Sequence, residues 1–100
     1  MPPWEVNYAE GVDEDFTSEK ELMRVKDKMD IVSLNPIYYS KSIKNTPANL
    51  RTIRFGDFRL FILLNQNTET IHCLAYLPRK HCYDKKSINK VLTRVKRDFS

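Results

Sequence analysis

The chain has 100 residues and a net charge of +4, with 41% hydrophobic and 30% charged content. That is enough for a soluble globular domain spanning residues 1–100 with one modest core. The longest apolar run, Leu60 to Leu64, is too short to cross a bilayer, and the Met1-Pro2-Pro3-Trp4-Glu5 start lacks the basic and apolar regions of a signal peptide, so a cytoplasmic protein with no membrane partner is expected.

Trp4, Val6 and Tyr8 alternate with Glu5 and Asn7, which predicts a strand. Ala9 to Phe16 stays open: Gly11 weakens a helix, whereas Val12 and Phe16, four apart, suit one or two helical turns. Ser18-Glu19-Lys20-Glu21 predicts a capping box that starts a helix. Leu22, Val25, Met29 and Val32 form its apolar stripe, and Asn35-Pro36 ends it after about Leu34. Ile37 to Ala48 has no clean period and reads as a connection carrying Tyr38, Tyr39, Lys41 and Lys44.

A hairpin follows. Leu50 to Phe55 and Phe58 to Leu64 are strands joined by Gly56-Asp57, and glycine in the first central position suits a type II′ turn. This turn fixes the register. Phe55 should face Phe58, Arg54 should face Arg59, and Ile53 should face Leu60. Ile53, Phe55, Phe58, Leu60 and Ile62 then share one face; Thr52, Arg54, Arg59, Phe61 and Leu63 share the other. Two arginines directly opposite repel at a cost of a few tenths to ~1 kcal/mol. An anion between them removes that penalty; otherwise they reach apart into solvent, or one pairs with Asp57. Thr70 to Leu77 is a third strand, antiparallel to the second and stopped by Pro78. Its end brings Arg79, Lys80 and Tyr83 to the Arg54–Arg59 end of the sheet.

Asp84 can cap a last helix with the stripe Ile88, Val91, Leu92, Val95 and Phe99. Lys86, Lys90, Arg94 and Arg97 lie off it as a solvated basic face. Acidic residues crowd the first third of the chain, so the basic excess sits beside the hairpin. Cys73 and Cys82 are expected as thiols. His72 and Cys73, adjacent on a strand, point to opposite faces, so no metal site is expected.

The order predicts an α+β fold: a single small antiparallel-rich sheet, helices packed on one of its faces, and the doubly apolar strand Phe58 to Leu64 at its centre, covered on both sides. Gly56-Asp57-Phe58-Arg59, followed at this spacing by Arg79-Lys80-His81-Cys82-Tyr83, resembles the RelE/ParE family of type II toxins. The resemblance covers nearly the whole chain and implies the RelE/ParE-like, microbial ribonuclease-like fold. Ser42-Ile43-Lys44-Asn45 matches the family's basic loop only at Lys44, with Lys41 nearby. Pro78 stands where members often have histidine.

The resemblance further implies a ribosome-dependent mRNA endoribonuclease that stops translation and is neutralised by a small antitoxin. Its partners would be the cognate antitoxin, the ribosome and mRNA. Arg59, Arg79, Tyr83 and His81 are the candidate catalytic residues; Arg54, Lys80, Lys44 and Lys41 are the candidate phosphate and RNA contacts. Arginine forks suit phosphate oxygens, Tyr83 or His81 could move a proton, and no cofactor is implied. Two alternatives stay open: a ParE-like toxin that poisons DNA gyrase, and a degenerate homologue that only binds its antitoxin.

Overall fold

The computed structural model describes residues 2–44 and 50–99, without the side chains of Asp98 and Phe99. The Asn45 to Ala48 part of the connection lies outside the described residues, as does the side chain of Phe99 at the end of the last stripe. Five strands form one sheet: β1 (Glu5–Tyr8), β2 (Lys41–Ser42), β3 (Leu50–Phe55), β4 (Phe58–Asn65) and β5 (Thr70–Pro78). Their order is β1-β5-β4-β3-β2. β1 runs parallel to β5, and every other pair is antiparallel. Two helices, α1 (Glu19–Val32) and α2 (Lys85–Phe99), complete the fold with a 3-10 turn at Val12–Asp15. No helix among the described residues is long and apolar enough to cross a membrane.

The hairpin has the predicted register: Phe55 faces Phe58, Arg54 faces Arg59 and Ile53 faces Leu60. β4 is central and covered on both sides, but the helices do not share a face. Val25, Met29 and Val32 of α1 pack on Ile53, Phe55, Leu60, Ile62 and Ile71. Val91 of α2 packs on Leu50, Phe61, Leu74, Ala75 and Leu77, with Ile88, Leu92 and Val95 around it. A strand apolar on both faces leaves the second face exposed unless something covers it, and α2 is the amphipathic element that remains. Each fully buried aliphatic side chain contributes roughly 1.5–3 kcal/mol.

The β4–β5 ladder pairs Phe61 with Ala75 and Ile62 with Cys73, so Leu74 is an extra residue in a bulge. The bulge changes which side chains point where. Leu74 and Ala75 both join the α2 side, and Tyr76 returns to the α1 side. There Tyr76 stacks between Phe16 and Phe58, with centroids 4.7 Å away on each side.

Ser18 caps α1 by accepting from the Glu21 N–H at 3.2 Å. The reciprocal half of the capping box is replaced. The Glu21 carboxylate takes the Tyr76 hydroxyl at 2.6 Å and Arg24 at 3.2 Å, which ties the helix to β5. Lys41–Ser42, expected as irregular chain, pairs with Arg51 and Thr52 as a short edge strand. Cys73 and Cys82 are free thiols and fully buried. Burial pushes the Cys73 thiol up to about 12.

Candidate anion-binding cleft

Gly56 has φ of 58°, while Asp57 is not in the left-handed region, as a turn with glycine at its first central position requires. A Cβ there would meet nothing within 4 Å, so the glycine serves backbone conformation and not space. The turn sets Arg54 opposite Arg59 on the sheet face that α2 leaves open. Arg59 does not pair with Asp57. Its Nη1 donates to the carbonyls of Gly56 at 3.0 Å and Phe58 at 2.9 Å. The Arg54 guanidinium has no partner among the described residues.

β5 ends against the same turn. Pro78 lies opposite Phe58, and the Arg79 N–H donates to the Asp57 carbonyl at 2.7 Å. The chain then tightens: His81 N–H donates to the Pro78 carbonyl at 3.1 Å, and the buried Cys82 thiol donates to the Arg79 carbonyl at 3.4 Å. Burial raises the Cys82 thiol above its ordinary range despite nearby arginines. The tight turn sends consecutive side chains in different directions. Arg79 and Tyr83, four apart, face the hairpin. The Tyr83 ring meets Phe61 edge-on with centroids 6.1 Å apart, and its hydroxyl is 3.5 Å from Thr52 Oγ1.

The third wall is the chain after α1. Asn35 Oδ1 accepts from the Tyr38 N–H at 3.3 Å, and the Asn35 carbonyl from the Tyr39 N–H at 3.3 Å. Ser40 donates to the Pro36 carbonyl at 2.6 Å. Arg51 braces the whole turn: Nε donates to Ser40 Oγ at 2.6 Å, and Nη2 to the carbonyls of Ser40 at 2.9 Å and Ile37 at 3.2 Å. Arg51 is on the opposite strand face from Arg54, across from Ile62, and these bonds make it a structural residue. Arg51→Ala should cost about 1–3 kcal/mol, since hydrogen bonds from a charged donor are lost together. Thermal melts and faster amide exchange from Tyr38 to Lys41 would show it.

These three walls enclose a cleft of about 540 Å³. Lys41, Arg54, Arg59, Arg79 and Tyr83 line it, with Tyr38, Tyr39, Ser40, Ser42 and Thr52. Four of these carry positive charge, and none is a carboxylate. Neither the Lys41 ammonium nor the Arg79 guanidinium has a partner among the described residues. Unpaired cations converging on one cleft suit an anion with several oxygens.

The candidate residues divide accordingly. Arg54, Arg59, Arg79, Tyr83 and Lys41 come together. Lys80 borders a separate hollow with Asp57 and Pro78, which Arg79 also touches. His81 turns out to solvent, with Nδ1 3.0 Å from Asp84 Oδ2. Lys44 is exposed and outside the lining. Sequence reasoning gave no site role to Tyr38, Tyr39, Ser40 or Thr52. The Tyr38-Tyr39 pair in a polar connection was the one available signal.

No family model and no curated relative matches the sequence. Solved structures do. The chain superposes on a mutant of the E. coli toxin RelE in the free state with TM-score 0.71, at 13% identity over 94% of this chain and 99% of that one. Against the toxin–antitoxin complex RelBE of Mycobacterium tuberculosis the TM-score is 0.66, at 18% identity over 78% of this chain and 100% of that one. Against the RelB–RelE complex of Methanococcus jannaschii it is 0.60, at 26% identity over 78% and 95%. This chain therefore has a RelE-like fold and resembles the RelE toxins.

Proposed function

We propose that this protein is the toxin of a type II toxin–antitoxin pair, a metal-independent endoribonuclease that cuts mRNA on the ribosome. The observation that carries the reading is the cleft: Lys41, Arg54, Arg59 and Arg79 surround Tyr83 with no carboxylate among the described lining residues. The RelE-like fold supports it. In such a site the 2′-OH attacks the neighbouring phosphate, its proton passes to water, and the P–O5′ bond breaks to leave a 2′,3′-cyclic phosphate and a 5′-hydroxyl end. Arg59 and Arg79 hold the phosphorane oxygens, Arg54 and Lys41 hold flanking phosphates, and the Tyr83 hydroxyl gives its proton to the leaving 5′-oxygen and is reprotonated from water. Electrostatic stabilisation is the main contribution.

The acid–base set is weak, since among the described lining residues there is no histidine and no carboxylate. The ribosome must then supply orientation. Added to a cell-free translation system, the protein should cut mRNA at ribosomes and leave naked RNA largely intact, read by primer extension. Equal cutting of free RNA would count against ribosome dependence. Intact mRNA with gyrase-dependent DNA breaks would replace the reading with the ParE-like one.

One observation favours a homologue that only binds its antitoxin: His81 and Lys80 lie outside the cleft. Intact mRNA without DNA breaks would establish that reading. The antitoxin itself would be cytoplasmic like its toxin, a segment that folds on binding and meets the basic cleft with acidic and apolar anchors. Four of the similar structures are complexes of RelE with RelB antitoxins. Failure of a co-expressed neighbouring gene product to co-purify would remove this part.

A further inference from the structure

Tyr38 is the most exposed large hydrophobic side chain among the described residues, at 76%, and it lines the cationic cleft. Tyr39 meets it edge-on, with centroids 4.9 Å apart and planes at 87°. An edge-on neighbour steadies a ring and covers at most one of its faces. The turn beneath is fixed by Asn35, by the Ser40–Pro36 bond and by the Arg51 fork. Such a brace does nothing for an exposed tyrosine as packing, because that ring buries little. It does hold a flat aromatic surface at a set place beside four cations.

We propose that Tyr38 is a base-stacking platform. It would take one unstacked base of a single-stranded RNA whose phosphates lie along Arg54, Arg59, Arg79 and Lys41. Every base offers a π face, so the platform would bind without strong sequence preference. Arg54 and Lys41 would hold the backbone at the neighbouring step. The proposal rests on the reading of the cleft as an RNA site and adds the subsite that reads a base. Tyr38 here is a binding residue and takes no part in the proton transfer given to Tyr83.

Two probes separate the platform from the charge: a short single-stranded oligoribonucleotide, and a ribose-phosphate oligomer of equal length without bases. Binding at low salt is measured for the parent protein and for Tyr38→Ala, Tyr38→Phe and Arg54→Ala, with circular dichroism as a folding check. Tyr38→Ala should weaken the base-bearing oligomer about tenfold and leave the abasic one unchanged. Tyr38→Phe should bind both as the parent does. Arg54→Ala should weaken both alike and flatten the salt dependence. Equal affinity of the parent and Tyr38→Ala for the base-bearing oligomer overturns the platform and leaves the anion-binding cleft standing, as does an equal loss for both probes. If Arg54→Ala changes neither probe, the cleft is not an RNA site and both readings fall.

Discussion

Arg59→Ala should lower ribosome-dependent cleavage by ~10²–10³, the typical effect of losing one electrostatic donor to a developing charge. The same change should move stability by no more than about 1 kcal/mol, because two small terms oppose each other. The bonds from Arg59 Nη1 to the Gly56 and Phe58 carbonyls are lost, but the Gly56 carbonyl lies at an exposed turn and the Phe58 carbonyl is only part-buried, so water replaces much of the donor. Against that, removing one of two facing arginines relieves their repulsion. Those bonds also bear on mechanism. Nη1 is held by the turn, so Nε and Nη2 remain aimed by a braced side chain, and a bidentate grip on phosphate needs that fork. Arg59→Lys keeps the charge, loses the fork, and should recover only a small part of the rate. Lys20→Ala, exposed on α1 across the sheet, is the matched control and should leave cleavage unchanged. Cleavage assays and thermal melts decide it. An Arg59→Ala protein that melts several degrees lower would show Arg59 to be a structural residue, and the catalytic role would be withdrawn.

The hairpin was legible because a two-residue turn with glycine first admits one register, and the register sorts every side chain to a face. Arg54 opposite Arg59 left solvent as an alternative, and the third strand's delivery of Arg79 and Tyr83 to the same end of the sheet made the cationic face readable. The placement of α2 was legible in part. The apolar pattern of β4 required cover on both sides, yet nothing in the period of α2 says which face it takes. What escaped reading shares one physical reason: its partner has no residue-type signature. Arg51 is held by backbone carbonyls and a serine hydroxyl, which leave no pattern to match. The Lys41–Ser42 strand is too short to show a period. Glu21 fitted a local capping box, and only the fold offers it Tyr76, far along the chain. Consecutive candidates in Arg79-Lys80-His81-Cys82-Tyr83 could not all face one cleft. A tight turn selects residues about four apart, and here those are Arg79 and Tyr83.

Arg94 is the strongest case of this kind, and it carries the largest expected loss of stability. It reads as part of a solvated basic face because it lies off the apolar stripe of α2, together with Lys86, Lys90 and Arg97. In the fold it is only 11% exposed and donates to Asp15, itself 5% exposed, at 2.8 Å. It also donates to the carbonyls of Leu74 at 2.7 Å and Gly11 at 3.3 Å. Asp15 in turn accepts from Lys90 at 2.8 Å and from the Tyr76 N–H at 3.1 Å. The β5 bulge interrupts the ladder at Leu74, and this ion pair satisfies backbone groups on either side of it. Asp15→Asn leaves a buried guanidinium without its counter-charge and should cost roughly 2–4 kcal/mol. Lys90→Ala removes only the half-exposed partner and should cost less than about 1 kcal/mol.

Burial pushes the Asp15 carboxyl up, but the hydrogen bonds from Arg94, Lys90 and the Tyr76 N–H outweigh it and hold the group below the ordinary carboxylate range. A folded-state value below the unfolded one gives stability that is complete above the unfolded carboxylate range, near pH 4, and is lost as pH falls through the lower folded value. The parent protein should therefore lose melting temperature below about pH 4, and Asp15→Asn should lose that part of the slope. Identical acid slopes in the two proteins would show that Asp15 is not the group responsible. Neither Asp15 nor Arg94 lines the cleft, so Asp15→Asn, assayed where it remains folded, should cut mRNA at the parent rate. That is the reverse of Arg59→Ala, and the contrast separates what holds this sheet together from what its open face does.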